Sequence, residues 1–337
     1  MGGQSKQDIG YQIPLGISGN VFTKGGVSIY NADVRTLYEK WDSPIVIISD
    51  GPYGVGSSFG DLPTPDALPG WYEPHIRAWS EKATAQTTLW FWNSEIGWAT
   101  IHPLLVKYGW KYVNCHTWDK GISHVAGNSN TKRLRELPVV TEVCIQYVKE
   151  AEIEGLSLKD WLRREWERSG LPLSKANEAC GVKNAATRKY LTKDHLWYFP
   201  PLEMFEKLVR YANAHGKPEG KPYFSADGEK PLTAGEWGRM RAKFHCKPGI
   251  TNVWQEPPLH GSERLKVGNR SIHLNQKPLK FMKLIIELSS DPGDLIWEPF
   301  GGLCTGAIAA YKLERRCVSA EVEKYLFELA AGRLMYA

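Results

Sequence analysis

The chain has 337 residues, 42% hydrophobic and 23% charged, which suits two folded domains, or one large domain with an insertion, and excludes a disordered or fibrous chain. No run approaches the ~20 apolar residues that cross a bilayer. The opening Met1-Gly2-Gly3-Gln4-Ser5-Lys6 lacks a secretory core, and Lys6 stands where myristoylation wants Ser or Thr. Six scattered cysteines form no CxxC pair, and His245-Cys246 has no second ligand pair at zinc spacing. Reduced thiols in a cytoplasmic protein, with no metal, are the expectation. A net charge of +5 and 14 tryptophans lean towards nucleic acid as a partner.

Taken in chain order, Val27–Tyr30 reads as a strand and Val34–Trp41 as a helix. Pro44–Ser49 is a continuous apolar strand of the kind buried on both faces of a parallel sheet. It runs into Asp50-Gly51-Pro52-Tyr53, a loop at the carboxyl end of a strand, where open α/β sheets bind ligands. A Gly/Pro-rich loop follows through Gly70. The next elements are a helix (Trp71–Ala83), a strand (Thr88–Trp92), a helix (Ile96–Tyr108) and strands at Tyr112–Trp118 and Val139–Tyr147. This alternation predicts an α/β sheet.

The pattern changes near Glu150. Residues 155–250 are helical in character and carry 18 Lys/Arg against 11 Asp/Glu. The predicted organisation is therefore a first half-domain over 1–150, a basic helical insertion over 151–250 and a second half-domain over 251–337. Within the insertion, Ser174–Cys180, a turn at Gly181-Val182 and Asn184–Leu191 have the flavour of a helix–turn–helix. Lys183, Asn184, Arg188 and Lys189 offer groups suited to bases and phosphates.

Alternation then resumes with an amphipathic helix over Pro278–Ser290, a turn at 291–294 and a short strand, Leu295–Trp297. The loop Glu298-Pro299-Phe300-Gly301-Gly302 leads to a helix over Thr305–Leu313. A strand at Cys317–Ala320 ends at Glu321, and a last helix starts at Val322. A strand, a glycine loop, a helix and a second strand ending in an acid are the layout for an adenosine-bearing ligand. The loop is not GxGxxG and has no Lys-Ser/Thr pair for a phosphate, so a ligand with ribose and no phosphate fits better.

These residues, in this order, resemble the β class of DNA amino-methyltransferases, in which the catalytic motif precedes the cofactor motif. The class has Asp-Pro-Pro-Tyr or Ser-Pro-Pro-Tyr where Asp50-Gly51-Pro52-Tyr53 stands, and Asp-Pro-Phe-x-Gly-Ser-Gly-Thr where Glu298–Thr305 stands. Its His-x-x-x-Lys-Pro segment matches His273–Pro278, with Asn252-Val253-Trp254 before it. Asn31-Ala32-Asp33 resembles its Gly-Asp, and Glu321, Tyr325 and Arg333 match residues downstream. The resemblance covers about residues 27–149 and 250–334. Three departures stand out: Gly51 for the first Pro, Glu298 for Asp, and Leu303-Cys304 for Ser-Gly, which puts bulk beside the cofactor loop.

The resemblance implies a Rossmann-like methyltransferase sheet with permuted motif order, carrying the helical insertion as a target-recognition domain. It implies S-adenosylmethionine as cofactor and double-stranded DNA as partner, leaving open a cognate restriction endonuclease and a monomer or homodimer. Asp50, Gly51, Pro52 and Tyr53 would be catalytic. The cofactor would meet Asp33, Asp50, Gln276, Lys277, Glu298, Pro299, Phe300, Gly301, Gly302, Thr305 and Glu321, with Lys277 on the methionine carboxylate and Glu321 on the ribose. Asp at position 50 favours adenine N6 as the target. Cytosine N4, or a DNA-binding protein that has lost catalysis, are the alternatives.

Overall fold

The computed structural model describes residues 19–56, 61–122, 137–218, 220–259, 263–267, 270–272 and 275–337. His273 and Leu274, read above as motif residues, lie outside the described residues, as does part of the Gly/Pro-rich loop. Met1–Lys149 with Ala242–Ala337 makes one compact unit and Glu150–Arg241 a second.

A nine-stranded sheet carries the first unit. Its strands in chain order are β1 (Val21–Lys24), β2 (Val27–Asn31), β3 (Val46–Ser49), β4 (Thr88–Asn93) and β5 (Trp110–Asp119). They continue with β6 (Thr141–Lys149), β7 (Val253–Gln255), β8 (Leu295–Glu298) and β9 (Arg316–Glu321). Side by side they run β1-β2-β9-β8-β3-β4-β6-β5-β7. From β2 to β4 every neighbouring pair is parallel, while β6 runs antiparallel to both β4 and β5. Parallel pairing of β9, β8 and β3 brings the loops after all three to one edge of the sheet, although they are far apart in sequence.

The central strands are apolar on both faces, and the two faces collect different partners. Every residue of β3, β4 and β8 is buried. Val46, Ile48, Trp90, Trp92 and Ile296 pack with helices α3 (Leu279–Ser289), α4 (Thr305–Lys312) and α5 (Lys324–Met335). Ile47, Leu89, Phe91 and Trp297 pack on the opposite face with α1 (Leu68–Lys82) and α2 (Glu95–Lys107). The result is a three-layer sandwich, as alternating elements predict. Most tryptophans serve these cores: Trp79, Trp90, Trp92, Trp110 and Trp297 here, and Trp161, Trp166 and Trp237 in the second unit, are fully buried. They are therefore not a nucleic-acid signal.

Three expectations need correction. The helix read over Val34–Trp41 is a single 3-10 turn, Val34–Thr36. Asp33 caps it, and buried Tyr38, bonded to His75 and Trp79, draws the chain into the core. The second compact unit ends at Arg241 rather than at 250. Beyond it, the His245 N–H donates to the Leu288 carbonyl, and Lys243 pairs with Asp291 and Asp294 of the sheet unit. Counted over Glu150–Arg241, the charge is 16 Lys/Arg against 14 Asp/Glu. The basic excess read over 155–250 thus came largely from where the segment was cut.

The second unit has a two-strand hairpin (Glu152–Ile153 and Leu156–Ser157), helices at Leu158–Arg168, Leu173–Cys180 and Leu202–His215, and a short helix, Ala234–Gly238. Its core is aromatic, with Trp237 stacked on Phe205 and Phe199 at ring separations of 4.4 and 4.5 Å. Among the described residues no helix is long and apolar enough to cross a membrane.

Candidate active site

One cavity of about 380 Å³ opens at the sheet edge where β3, β8 and β9 end. Its lining includes every residue that the sequence assigned to catalysis or to the cofactor. Asp33, Asp50, Gly51, Pro52 and Tyr53 come from the first half of the chain. Gln276, Lys277, Glu298, Pro299, Phe300, Gly301, Gly302, Thr305 and Glu321 come from the last. Topology alone brings these groups together.

At the end of β3, Asp50 faces a buried cation. The Lys277 ammonium, with its side chain 2% exposed, lies 2.8 Å from Asp50 Oδ1 and 2.8 Å from Glu142 Oε1. Any ligand carboxylate would compete with these partners for Lys277. The Tyr53 hydroxyl donates towards Asp50 Oδ1 at 3.0 Å and Glu142 Oε1 at 2.5 Å. Burial pushes the Asp50 carboxyl above its ordinary value, with Lys277 opposing. Burial acts the same way on Glu142, but Lys277 and Lys120 outweigh it and hold that carboxyl at about 2.

The catalytic-motif loop is pinned by a residue that no motif announced. The Asp61 carboxylate accepts the backbone N–H groups of Tyr53, Gly54, Val55 and Leu62 at 2.8–3.1 Å. Burial raises its pKa, and these donors bring it below the ordinary value. Gly51, where the class has proline, leaves no room for a side chain. A Cβ there would stand 2.6 Å from the Tyr72 hydroxyl and 2.9 Å from the Phe300 ring. Tyr72 and Asn93 donate to the Pro52 carbonyl at 3.2 and 3.1 Å.

The glycine loop after β8 is built around Glu298. Its Oε1 accepts the Gly306 N–H at 2.6 Å, and its Oε2 accepts the Ala307 N–H at 3.0 Å and the Ser319 hydroxyl at 2.8 Å. The acid therefore caps the N-terminus of α4, where a negative charge is favoured; burial raises its pKa to about 7. At Gly301 a Cβ would lie 2.6 Å from Cys304 Sγ and 2.7 Å from Ser319 Oγ, so only glycine fits. Cys304 adopts φ of 50°, the left-handed region that favours glycine. Buried Leu303 packs with Leu265 and Leu329, and its carbonyl accepts from Arg333. Much of the bulk expected beside the cofactor is thus absorbed by packing.

Around this loop stand the remaining groups. Glu321 accepts the N–H of Gly302 at 2.7 Å and of Glu323 at 2.8 Å. Gln276 bonds the backbone of Glu263 and Leu265. Asp33 pairs with Arg35 at the rim, which lowers its pKa. Trp71 and His75 of α1 also line the cavity, each with its ring 5.0 Å from that of Phe300. Burial lowers the His75 pKa to about 4, so its imidazole is neutral at pH 7. Sequence reasoning missed Asp61, Trp71, His75 and Glu142; only Glu142, a charge inside an apolar strand, left a readable signal.

The four residues proposed to contact DNA lie in the second unit. Lys183, Asn184, Arg188 and Lys189 are all exposed. The predicted second helix over Asn184–Leu191 is instead a five-residue π turn, Ala186–Tyr190, whose two end residues are buried. Asn177 ties it to the preceding helix, its Oδ1 accepting the Thr187 N–H at 3.2 Å.

The N6/N4 methyltransferase family model, described as DNA methylase, matches residues 45–332. The Type II methyltransferase M.HindIII of Haemophilus influenzae is 33% identical over 192 residues, 54% of this chain and 57% of that one. The Type II methyltransferase M.ScaI of Streptomyces caespitosus is 28% identical over 99 residues, 28% of this chain and 33% of that one. The matches thus span little more than half of the first relative and a third of the second. Among solved structures, the PvuII DNA methyltransferase, titled cytosine-N4-specific, aligns with a TM-score of 0.53 at 12% identity, covering 92% of this chain and 87% of that one. The sheet is that α/β fold.

Two substitutions test this construction. Gly301→Ala should destabilise the protein by ~1–3 kcal/mol, the usual cost of overpacking, read as a lower urea midpoint with an unchanged slope. Asp61→Ala frees four backbone donors, and turnover should fall while the melting temperature drops by only a few degrees, since Asp61 lies outside both cores. A wild-type melting curve for the first, or wild-type turnover for the second, would contradict the respective role.

Proposed function

Because the chain belongs to the N6/N4 DNA methylase family, we propose that it is a sequence-specific DNA methyltransferase using S-adenosylmethionine and acting on adenine N6. The observation that carries this reading is the convergence of Asp50–Tyr53 and the Gly301 loop on one cavity. The fit of an adenosine-bearing ligand rests on three features. The backbone at Gly301 has room for no side chain, Phe300 and Trp71 offer ring faces in the lining, and Glu321 is oriented by two backbone donors. When bound, S-adenosylmethionine would supply an electrophilic methyl group on its sulfonium.

The exocyclic amine of adenine is a weak nucleophile because its lone pair is delocalised into the ring. Asp50 Oδ1 is held by Tyr53 and Lys277, which leaves Oδ2 to accept one amine N–H. The Gly51 carbonyl accepts the other, which localises the lone pair on nitrogen. Asp50 Oδ2 then takes up the proton that the amine loses. The base must leave the duplex, at a cost of a few kcal/mol, and stacking on the Tyr53 ring offsets part of this, at ~1–3 kcal/mol. A carboxylate rather than a hydroxyl at position 50 supports adenine over cytosine. Recognition of the DNA sequence is assigned to Glu150–Arg241. The support is a cluster of exposed Lys183, Arg188 and Lys189, for which no carboxylate partner stands among the described residues.

The direct test incubates the protein with tritiated cofactor and duplex DNA and identifies the labelled nucleoside. N6-methyladenine is expected; N4-methylcytosine would overturn the choice of base, and no labelled nucleoside would overturn the activity. Asp50→Ala should lower turnover by orders of magnitude while cofactor affinity stays within a few-fold. Glu321→Ala should weaken the cofactor Kd by ~10- to 100-fold, the loss of a hydrogen bond to a charged group. If Arg188 or Lys189 meets phosphate, its change to Ala should lower the salt slope of DNA binding by about one unit on every sequence. A base contact should instead cost ~1–3 kcal/mol on the cognate site alone. Unchanged DNA affinity in both variants would move recognition elsewhere.

A further inference from the structure

We infer that Glu142 is a positioning residue for methyl transfer: through Lys277 and the Tyr53 hydroxyl it sets the orientation of the Asp50 carboxylate. The inference rests on the reading of Asp50 and Tyr53 as the groups that meet the target base.

Glu142 sits in β6, within a stretch buried from Glu142 to Tyr147. A carboxylate in such a strand is tolerated only with partners that replace water. Its partners lead to the motif loop. Glu142 Oε1 takes the Tyr53 hydroxyl and the Lys277 ammonium, while Oε2 takes Lys120 at 2.9 Å. Tyr53 and Lys277 then both reach Asp50 on the same oxygen, Oδ1. The four groups close a ring of contacts of 2.5–3.0 Å, and Asp50 Oδ2 takes no part in it. Glu142 thereby fixes which carboxylate oxygen of Asp50 is engaged and which is presented to the cavity. It also fixes the Tyr53 ring, over which the Lys277 ammonium lies 5.1 Å from the centroid.

The charges balance along this chain: Asp50 and Glu142 against Lys277 and Lys120. The other titratable groups that act on Asp50 or feel its charge are Tyr72 from α1, Cys144 from β6 and Glu298 from β8. Burial raises all three, so the phenol and thiol are neutral at pH 7. Removing Glu142's charge leaves Lys277 to Asp50 alone, which makes Asp50 easier to ionise. Removing Lys120's charge has the opposite sign.

The test compares wild type, Glu142→Gln and Lys120→Gln by three readouts: kcat for methyl transfer against pH, cofactor Kd by calorimetry, and the Asp50 carboxyl titration by carbon-13 NMR. Asp50→Asn assigns the signal. Glutamine at 142 keeps the size and an acceptor for Tyr53, so its effect isolates the charge. Expected for Glu142→Gln is a ~10- to 100-fold lower kcat, a Kd within about threefold, and an acid limb and titration displaced to lower pH. Lys120→Gln should displace both to higher pH, a reversal that loosened packing does not produce. Wild-type kcat with an unmoved titration in Glu142→Gln, or displacement in the same direction by both variants, overturns the inference. Should wild type methylate no DNA, the proposed function fails, and the NMR titrations still decide whether Glu142 governs Asp50. Should Glu142→Gln not fold, the direction of the shift in Lys120→Gln, at a side chain 17% exposed, decides.

Discussion

The Lys277 ammonium is out of reach of water, and a lone charge in that position costs several kcal/mol even after relaxation. Two carboxylates at 2.8 Å remove most of that cost, and each comes from a different strand. Asp50 follows β3, Glu142 lies near the start of β6, and Lys277 stands just ahead of α3. The order β3-β4-β6, with β6 reversed, brings the start of β6 beside the end of β3. A parallel β6 would carry Glu142 to the far edge of the sheet. One ion cluster thus ties the antiparallel half of the sheet to the parallel half, at the point where the cavity opens.

A second buried acid, Glu298 in the cavity lining, shows how partners, rather than depth, decide charge. Glu142 and Glu298 are both buried, yet one is held at about 2 and the other at about 7. Glu142 faces two ammonium groups, whose full charges outweigh desolvation. Glu298 faces two N–H groups and a hydroxyl, whose partial charges do not. The first is a fixed anion on which other groups are hung. The second is a hydrogen-bond hub that shapes the glycine loop and starts α4.

What was legible in the sequence follows from what is local. Asp50–Tyr53 and Glu298–Gly302 could be read because each follows an apolar strand, and a loop at the carboxyl end of such a strand sits at the ligand edge. The helix at Thr305 and the acid at Glu321 followed from the same periodicity. Asp61 and His75 could not be read, since their roles depend on chain segments that only folding brings near. The helix expected at Val34 failed because burial of Tyr38 and Trp41 outweighs local preference. The second helix of the insertion is a π turn instead, Ala186–Tyr190, and nothing in its local sequence signals the wider turn. The basic excess shrinks for a different reason: the compact unit includes Glu150, Glu152 and Glu154 and excludes Lys243 and Lys247.

Each departure from the class motifs is met by compensating contacts. Gly51 forgoes the fixed φ of proline, but Tyr72 and Phe300 close on the space a side chain would occupy, and Asp61 grips the next three N–H groups. Stiffness given up in a ring is recovered from packing and hydrogen bonds. Cys304 holds a left-handed φ without being glycine, a conformation that costs roughly 1–2 kcal/mol. It is offset by full burial of the thiol beside Ser319 and by Arg333 bonding the Leu303 carbonyl and the Thr305 hydroxyl. Here each substituted position has neighbours shaped to it, so the fold accommodates all three departures from the class motifs.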